Sequence, residues 1–191
     1  MPVQPPLIKF PNPIHIDKLT KVMEIRGVDT YLHWSVFAIS AFILTGVISH
    51  PGLTILGLGC YYSILLLHEA GHLYFAQRKG CRVLSIEIYP VFGLTTFEAP
   101  WSKLDHCVIA WGGVIGQALV FIPLIAWGTI FGYTRFGAVN MIFAILGFFS
   151  LVIAIFNLLP IERLDGWIAW QILPELWAER KRKIPRKPMY R

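Results

Sequence analysis

His68-Glu69-Ala70-Gly71-His72 brings together the residue types best able to do chemistry in this chain. On a helix, positions four apart share a face, with Cβ atoms about 5–6 Å apart. Two imidazoles so placed can share one zinc ion at about 2.0–2.1 Å from each nitrogen. The glutamate between them falls off that stripe. There it can take a proton from metal-bound water and later return it to a leaving amine. A blander reading makes the histidines helix-packing groups with Glu69 as their ion-pair partner. The surrounding hydropathy weighs against it, because a carboxylate within a membrane span costs several kcal/mol unless something neutralises it.

That hydropathy is general. The chain has 191 residues, of which 55% are hydrophobic and 15% charged, with a mean hydropathy of +0.59. A soluble domain carries about 25% charged residues. Four stretches, 33–49, 52–67, 107–131 and 137–161, contain no Asp, Glu, Lys or Arg. A membrane helix needs roughly 20 apolar residues, and the second stretch reaches that length only by running on through His68, Glu69 and His72 to Ala76. The expected fold is therefore an all-α polytopic membrane bundle of about four spans, with a short cytoplasmic-side β segment between the second and third. Its domains are a cytoplasmic arm (1–29), the core (30–178) and a basic tail (179–191).

The net charge of +6 is distributed by side. With four spans, every one of the 17 basic residues except Arg135 falls on one face of the membrane. By the positive-inside rule this places the arm, the middle loop and the tail, and so both termini, in the cytoplasm. The run Lys181-Arg182-Lys183-Ile184-Pro185-Arg186 then reads as a topology and anionic-lipid signal, with no nucleic-acid partner. No cleavable leader is expected, since the first apolar run follows about thirty polar, proline-rich residues. Cys60, Cys81 and Cys107 are an odd number without metal spacing and read as free thiols.

A catalytic zinc uses three protein ligands plus water, so the two histidines need a third partner at the same membrane depth. Asp165 qualifies. It follows the fourth span, which runs in the same direction as the second. A glutamate as third ligand would instead nominate Glu162 or Glu175.

At these residues the chain resembles the site-2 protease family of intramembrane metalloproteases. That family pairs H-E-x-x-H with a later N-x-x-P-x-x-x-L-D-G. Here Asn157, Pro160, Leu164, Asp165 and Gly166 fill every fixed position. Leu32-His33-Trp34-Ser35 is similar to the opening of the family's first core helix, the stretch 83–93 to its strand segment, and Gly113-Val114-Ile115-Gly116-Gln117 to its G-P-x-x-N. The resemblance covers about residues 25–178. It implies one zinc ion per chain on His68, His72 and Asp165, with Glu69 as base and a membrane-spanning protein as substrate. Val114, Gln117, Leu94 and Trp167 depart from the family pattern. None is a metal ligand, so the departures bear on substrate positioning, and Trp167 could narrow the mouth of the site.

Asn157 and Gln117 are candidates for holding the substrate backbone or its oxyanion, and equally for bonding between helices. Gly112 with Gly116, and Gly128 with Gly132, have the spacing of close helix contacts. The strand within 83–89 could offer an edge to an extended substrate. His33, His50 and His106 are not expected to be ligands. Trp34, Trp101, Trp167, Trp170 and Trp177 fall near span ends, as interfacial aromatics do. Glu162 and Arg163 form a local pair on this reading. A non-enzymatic, metal-binding regulator of a membrane partner remains the competing function class, while six histidines are too few for a di-iron desaturase.

Overall fold

The computed structural model describes residues 19–98, 100, 102–162 and 164–183. The proline-rich start of the arm, Trp101, the Glu162–Arg163 pairing and the end of the basic tail lie outside these residues.

The chain opens with a hairpin, β1 (Leu19–Ile25) and β2 (Val28–His33). Arg26 and Gly27 turn it, with φ of 51° and 82°. A two-residue hairpin turn with positive φ at both positions matches the twist of the strands it joins. Helix α1 (Trp34–Leu44) follows, extended by a 3-10 turn at Thr45–Ile48. His33 closes its start by accepting from the Ser35 amide. Next come α2 (Pro51–Arg78), β3 (Val83–Ile88), β4 (Gly93–Phe97) and α3 (Lys103–Phe131). The fourth apolar stretch forms α4 (Gly137–Ile142), a π-helical segment (Phe143–Phe149) and α5 (Ser150–Asn157) in series. Two short helices end the described chain, α6 (Asp165–Ala169) and α7 (Ile172–Lys183).

Among the described residues, three helices are long and apolar enough to cross a membrane: Pro51–Arg78, Lys103–Phe131 and Gly137–Asn157. This corrects the expected four spans. Helix α1 with its 3-10 turn, Trp34–Ile48, is apolar but short. At the rises of these helices it covers about 24 Å, less than the ~30 Å of a bilayer core. The apolar run of 33–49 looked longer because it includes His33, the last residue of β2.

The all-α expectation is also corrected. The four strands form one mixed sheet in the order β1-β2-β3-β4, with β2 and β3 parallel and the other pairs antiparallel. Strand β1 and the first two residues of β2 come from what read as a polar arm. Strand β1 is exposed along most of its length and carries Lys21 and Glu24, so it lacks the alternation that marks a half-buried strand. Strand β2 does alternate, with Val28, Thr30 and Leu32 buried. Val28 and Leu32 pack with Val36, Leu65, Leu73, Ile86 and Ile88 into a core shared by sheet and helices. Strand β3 is paired on both sides, so the edge anticipated at 83–89 is not free. The free edges belong to β1 and β4.

Candidate metal centre

The C-terminal half of α2 faces α3 along a line of glycines. A Cβ at Gly71 would strike the Gly112 carbonyl, and one at Gly116 would lie 2.6 Å from the Leu67 carbonyl. The backbones therefore approach as closely as only glycine permits. Of the expected packing glycines, Gly112 and Gly116 serve this contact. Gly128 and Gly132 meet nothing; Gly132 ends α3 with φ of 74°.

This contact buries His68, Glu69 and His72 to 4%, 1% and 6% exposure. Beyond α5, the chain leaves the helix at Leu158, ahead of Pro160, which biases the residue before it away from helical geometry. It returns through a turn tight enough that a Cβ on Gly166 would strike the Leu158 carbonyl. Trp170 fixes that return by donating from Nε1 to the Leu158 carbonyl at 2.7 Å, and Trp111 donates to the Ala169 carbonyl at 3.0 Å. The result brings Asp165 against α2. Its Oδ2 lies 2.8 Å from His68 Nε2 and 3.2 Å from His72 Nε2, and the two Nε2 atoms are 3.1 Å apart.

Three atoms that close could hold one cation among them. His72 Nδ1 lies 2.8 Å from the Ile109 carbonyl, which can only accept, so Nδ1 carries the proton and a neutral ring leaves Nε2 bare. His68 Nδ1 is 3.0 Å from Gln117 Oε1, the same arrangement. Metal-bound histidines characteristically donate their second nitrogen to such a carbonyl. Ligands at 2.0–2.1 Å around a tetrahedral ion sit about 3.3 Å from one another, close to the triangle observed. Space for an ion is kept open by Gly113, where a Cβ would lie 2.5 Å from His72 Nε2 and 2.7 Å from His68 Nε2. The residues present fit a metal ion. His68, His72 and Asp165 are the one such group among the described residues.

The other expected residues are placed as follows. Glu69 accepts from the Thr95 hydroxyl at 2.8 Å through Oε2, while its buried Oε1 has no protein partner. Strand β4 lies against it so tightly that a Cβ on Gly93 would strike the carboxylate. Gln117 is fully buried, and its Nε2 has no partner. Asn157 donates to the Ile153 carbonyl of its own helix at 3.2 Å rather than to a neighbouring helix. His68, Glu69, Gln117, Asn157 and Gly93 line one cleft, roofed by Val91 and Phe92 of the β3–β4 turn. Glu175 faces Lys103 instead, at 4.0 Å. His33 caps α1 and His50 precedes α2, so neither joins the group. Sequence reasoning missed Thr95, Gly93 and Gly113, whose roles depend on distant contacts.

In its overall path the chain matches the structure of the site-2 protease from Methanocaldococcus jannaschii, with a TM-score of 0.65 over 85% of this chain and 73% of that one, at 20% identity. The chain has the site-2 protease fold. The three long apolar helices and this fold support a membrane protein. In sequence it is 31% identical over 120 residues to a protein of Synechocystis sp. (strain ATCC 27184 / PCC 6803 / Kazusa) that is assigned by its name to the zinc metalloproteases. That match takes in 58% of this chain and 30% of the Synechocystis protein's length. No family model matches the chain.

Proposed function

We propose that this protein is a zinc-dependent intramembrane endopeptidase that cleaves membrane-embedded protein substrates. The observation that carries the reading is the convergence of two imidazole nitrogens and one carboxylate oxygen from opposite halves of the chain, inside the apolar bundle. His68, His72 and Asp165 would hold one zinc ion per chain, and the named activity of the Synechocystis relative supports zinc as the metal. The ion, when bound, supplies Lewis acidity and lowers the pKa of water to about 7.

The chain's own residues divide the remaining work. Glu69 Oε1, buried and without a partner, is the atom that takes the water proton, while Thr95 holds Oε2 and fixes the carboxylate. The proton then passes from Glu69 to the leaving amine. Gln117 keeps the His68 proton on Nδ1 through its Oε1, and its free Nε2 donates to the substrate carbonyl oxygen. Asn157, lining the same cleft, supports the substrate beside it. The substrate is a membrane-spanning segment that unwinds locally, because helical carbonyls are engaged in their own hydrogen bonds. The free edge of β4 is the strand available to hold it extended. With the basic residues on the cytoplasmic side, the site opens toward the cytoplasm; β2 pairs with β3 just after the end of α2, so both termini would lie on that side, where a regulatory membrane partner could dock.

A single-span substrate co-expressed with the protein tests the mechanism. Wild type should cut it and Glu69→Gln should not, with a loss of at least about 100-fold. Equal cutting by both would remove Glu69 from the chemistry.

A further inference from the structure

Helix α7 is too short to span a bilayer, yet it is unusually apolar on one side. Leu173, Leu176 and Trp177 are 63%, 44% and 63% exposed, beside Trp170 at 43%. Positions 173, 177, 180 and 181 fall on one helical stripe, so the apolar strip runs directly into Arg180 and Lys181. Lys181 lies over the Trp177 ring, its Nζ 3.4 Å from the centroid. The sequence continues with further basic residues, Arg182, Lys183, Arg186 and Lys187.

The position of α7 in the fold says what this face meets. It packs on α3, and Glu175 approaches Lys103 at the first residue of that helix. Nearby in the fold, the end of α2 is tied to the start of α3 by Lys79 and Asp105, 2.7 Å apart. Helix α7 therefore sits where two spans leave the apolar layer, at the end carrying Arg78, Lys79 and Lys103. An exposed strip of Trp and Leu bordered by cations, at that level, matches an interface of acyl chain and anionic headgroup.

We propose that the exposed face of α7 docks on the anionic phospholipid surface of the membrane that the protein spans. Leu173, Leu176 and Trp177 enter the acyl boundary, and Arg180 and Lys181 pair with headgroup phosphates. The inference does not depend on the metal centre. It has a consequence for that centre, because α7 continues from α6, whose first residue is Asp165.

The test is amide hydrogen exchange on the full chain, one copy per nanodisc, in phosphatidylcholine alone or mixed with phosphatidylglycerol. Each basic side chain near an anionic surface is worth about a fivefold factor. Exchange across Leu173–Lys181 should therefore slow at least about fivefold with phosphatidylglycerol, and high salt should reverse the change. Arg180→Glu with Lys181→Glu should abolish the slowing while α2 and α3 stay as protected as in wild type, which shows that the variant is folded. Equal exchange in both lipids, or a double variant that slows like wild type, would overturn the proposal. One copy per disc removes self-association as a source of protection.

Discussion

Two buried polar atoms without protein partners, Glu69 Oε1 and Gln117 Nε2, belong to residues that line the same cleft. An unpartnered buried polar atom costs about 1–3 kcal/mol, so two at one place mark a site where something else is meant to bind. Gln117 is the more informative residue. Its side chain satisfies His68 Nδ1 with one atom and leaves the other free. Gln117→Leu should weaken zinc binding about 10–100-fold, measured by competition with a chelator, because the acceptor for the His68 proton is lost. Gln117→Glu should restore metal affinity by restoring an acceptor, but not cleavage, because it returns no donor. Gly93→Ala tests the other residue. The added methyl meets the Glu69 carboxylate, so cleavage should fall by more than about tenfold while bound zinc stays at wild-type level.

Among the elements, α2 and α3 decide whether the ligands meet. Their glycine-to-backbone contacts leave no room for a methyl group at Gly71 or Gly112. Gly71→Ala should cost about 1–3 kcal/mol, read as a lower unfolding midpoint in detergent, and should reduce bound zinc as the His68 and His72 rings shift away from α3. The two metal motifs were legible in sequence because each is local: i and i+4 on one helix, and a short run ending at Asp165. The sheet was legible only in part. The β3 segment has the β-branched residues of a strand, but β1 carries charge and lacks alternation, so it read as arm. The roles of Thr95 and Gly93 were hidden for a different reason. Nothing near Thr95 in sequence signals that β4 will lie across Glu69, some 26 positions away. The cleft roofed by Val91 and Phe92 has no room for a water molecule as it stands. The β3–β4 turn over it is held by the Tyr61 hydroxyl, which donates to the Pro90 carbonyl at 3.0 Å.

For the whole molecule, the shortened α1 changes the argument from span counting. That Asp165 reaches the histidines depends on α2 and the 137–157 helix running in the same direction, which needs only the single crossing of α3 between them. Pairing of β2 with β3 sets the N-terminal hairpin at the end of α2 whether or not α1 spans the apolar layer, and the length of α1 leaves the site intact. The proposed orientation, by the positive-inside rule, puts the end that carries the basic residues of α2, α3 and α7 in the cytoplasm. Cysteine introduced at Lys103 should react with an impermeant thiol reagent only from the cytoplasmic side, and cysteine at Arg135 only from the opposite side.

The proposed activity requires one ion held by residues far apart in the chain. Purified wild type and Asp165→Ala, compared by zinc content per chain, address it most directly. Wild type should hold one zinc ion and Asp165→Ala far less than one, with Glu162→Ala and Glu175→Ala unchanged. A full complement of zinc in Asp165→Ala would contradict the assignment.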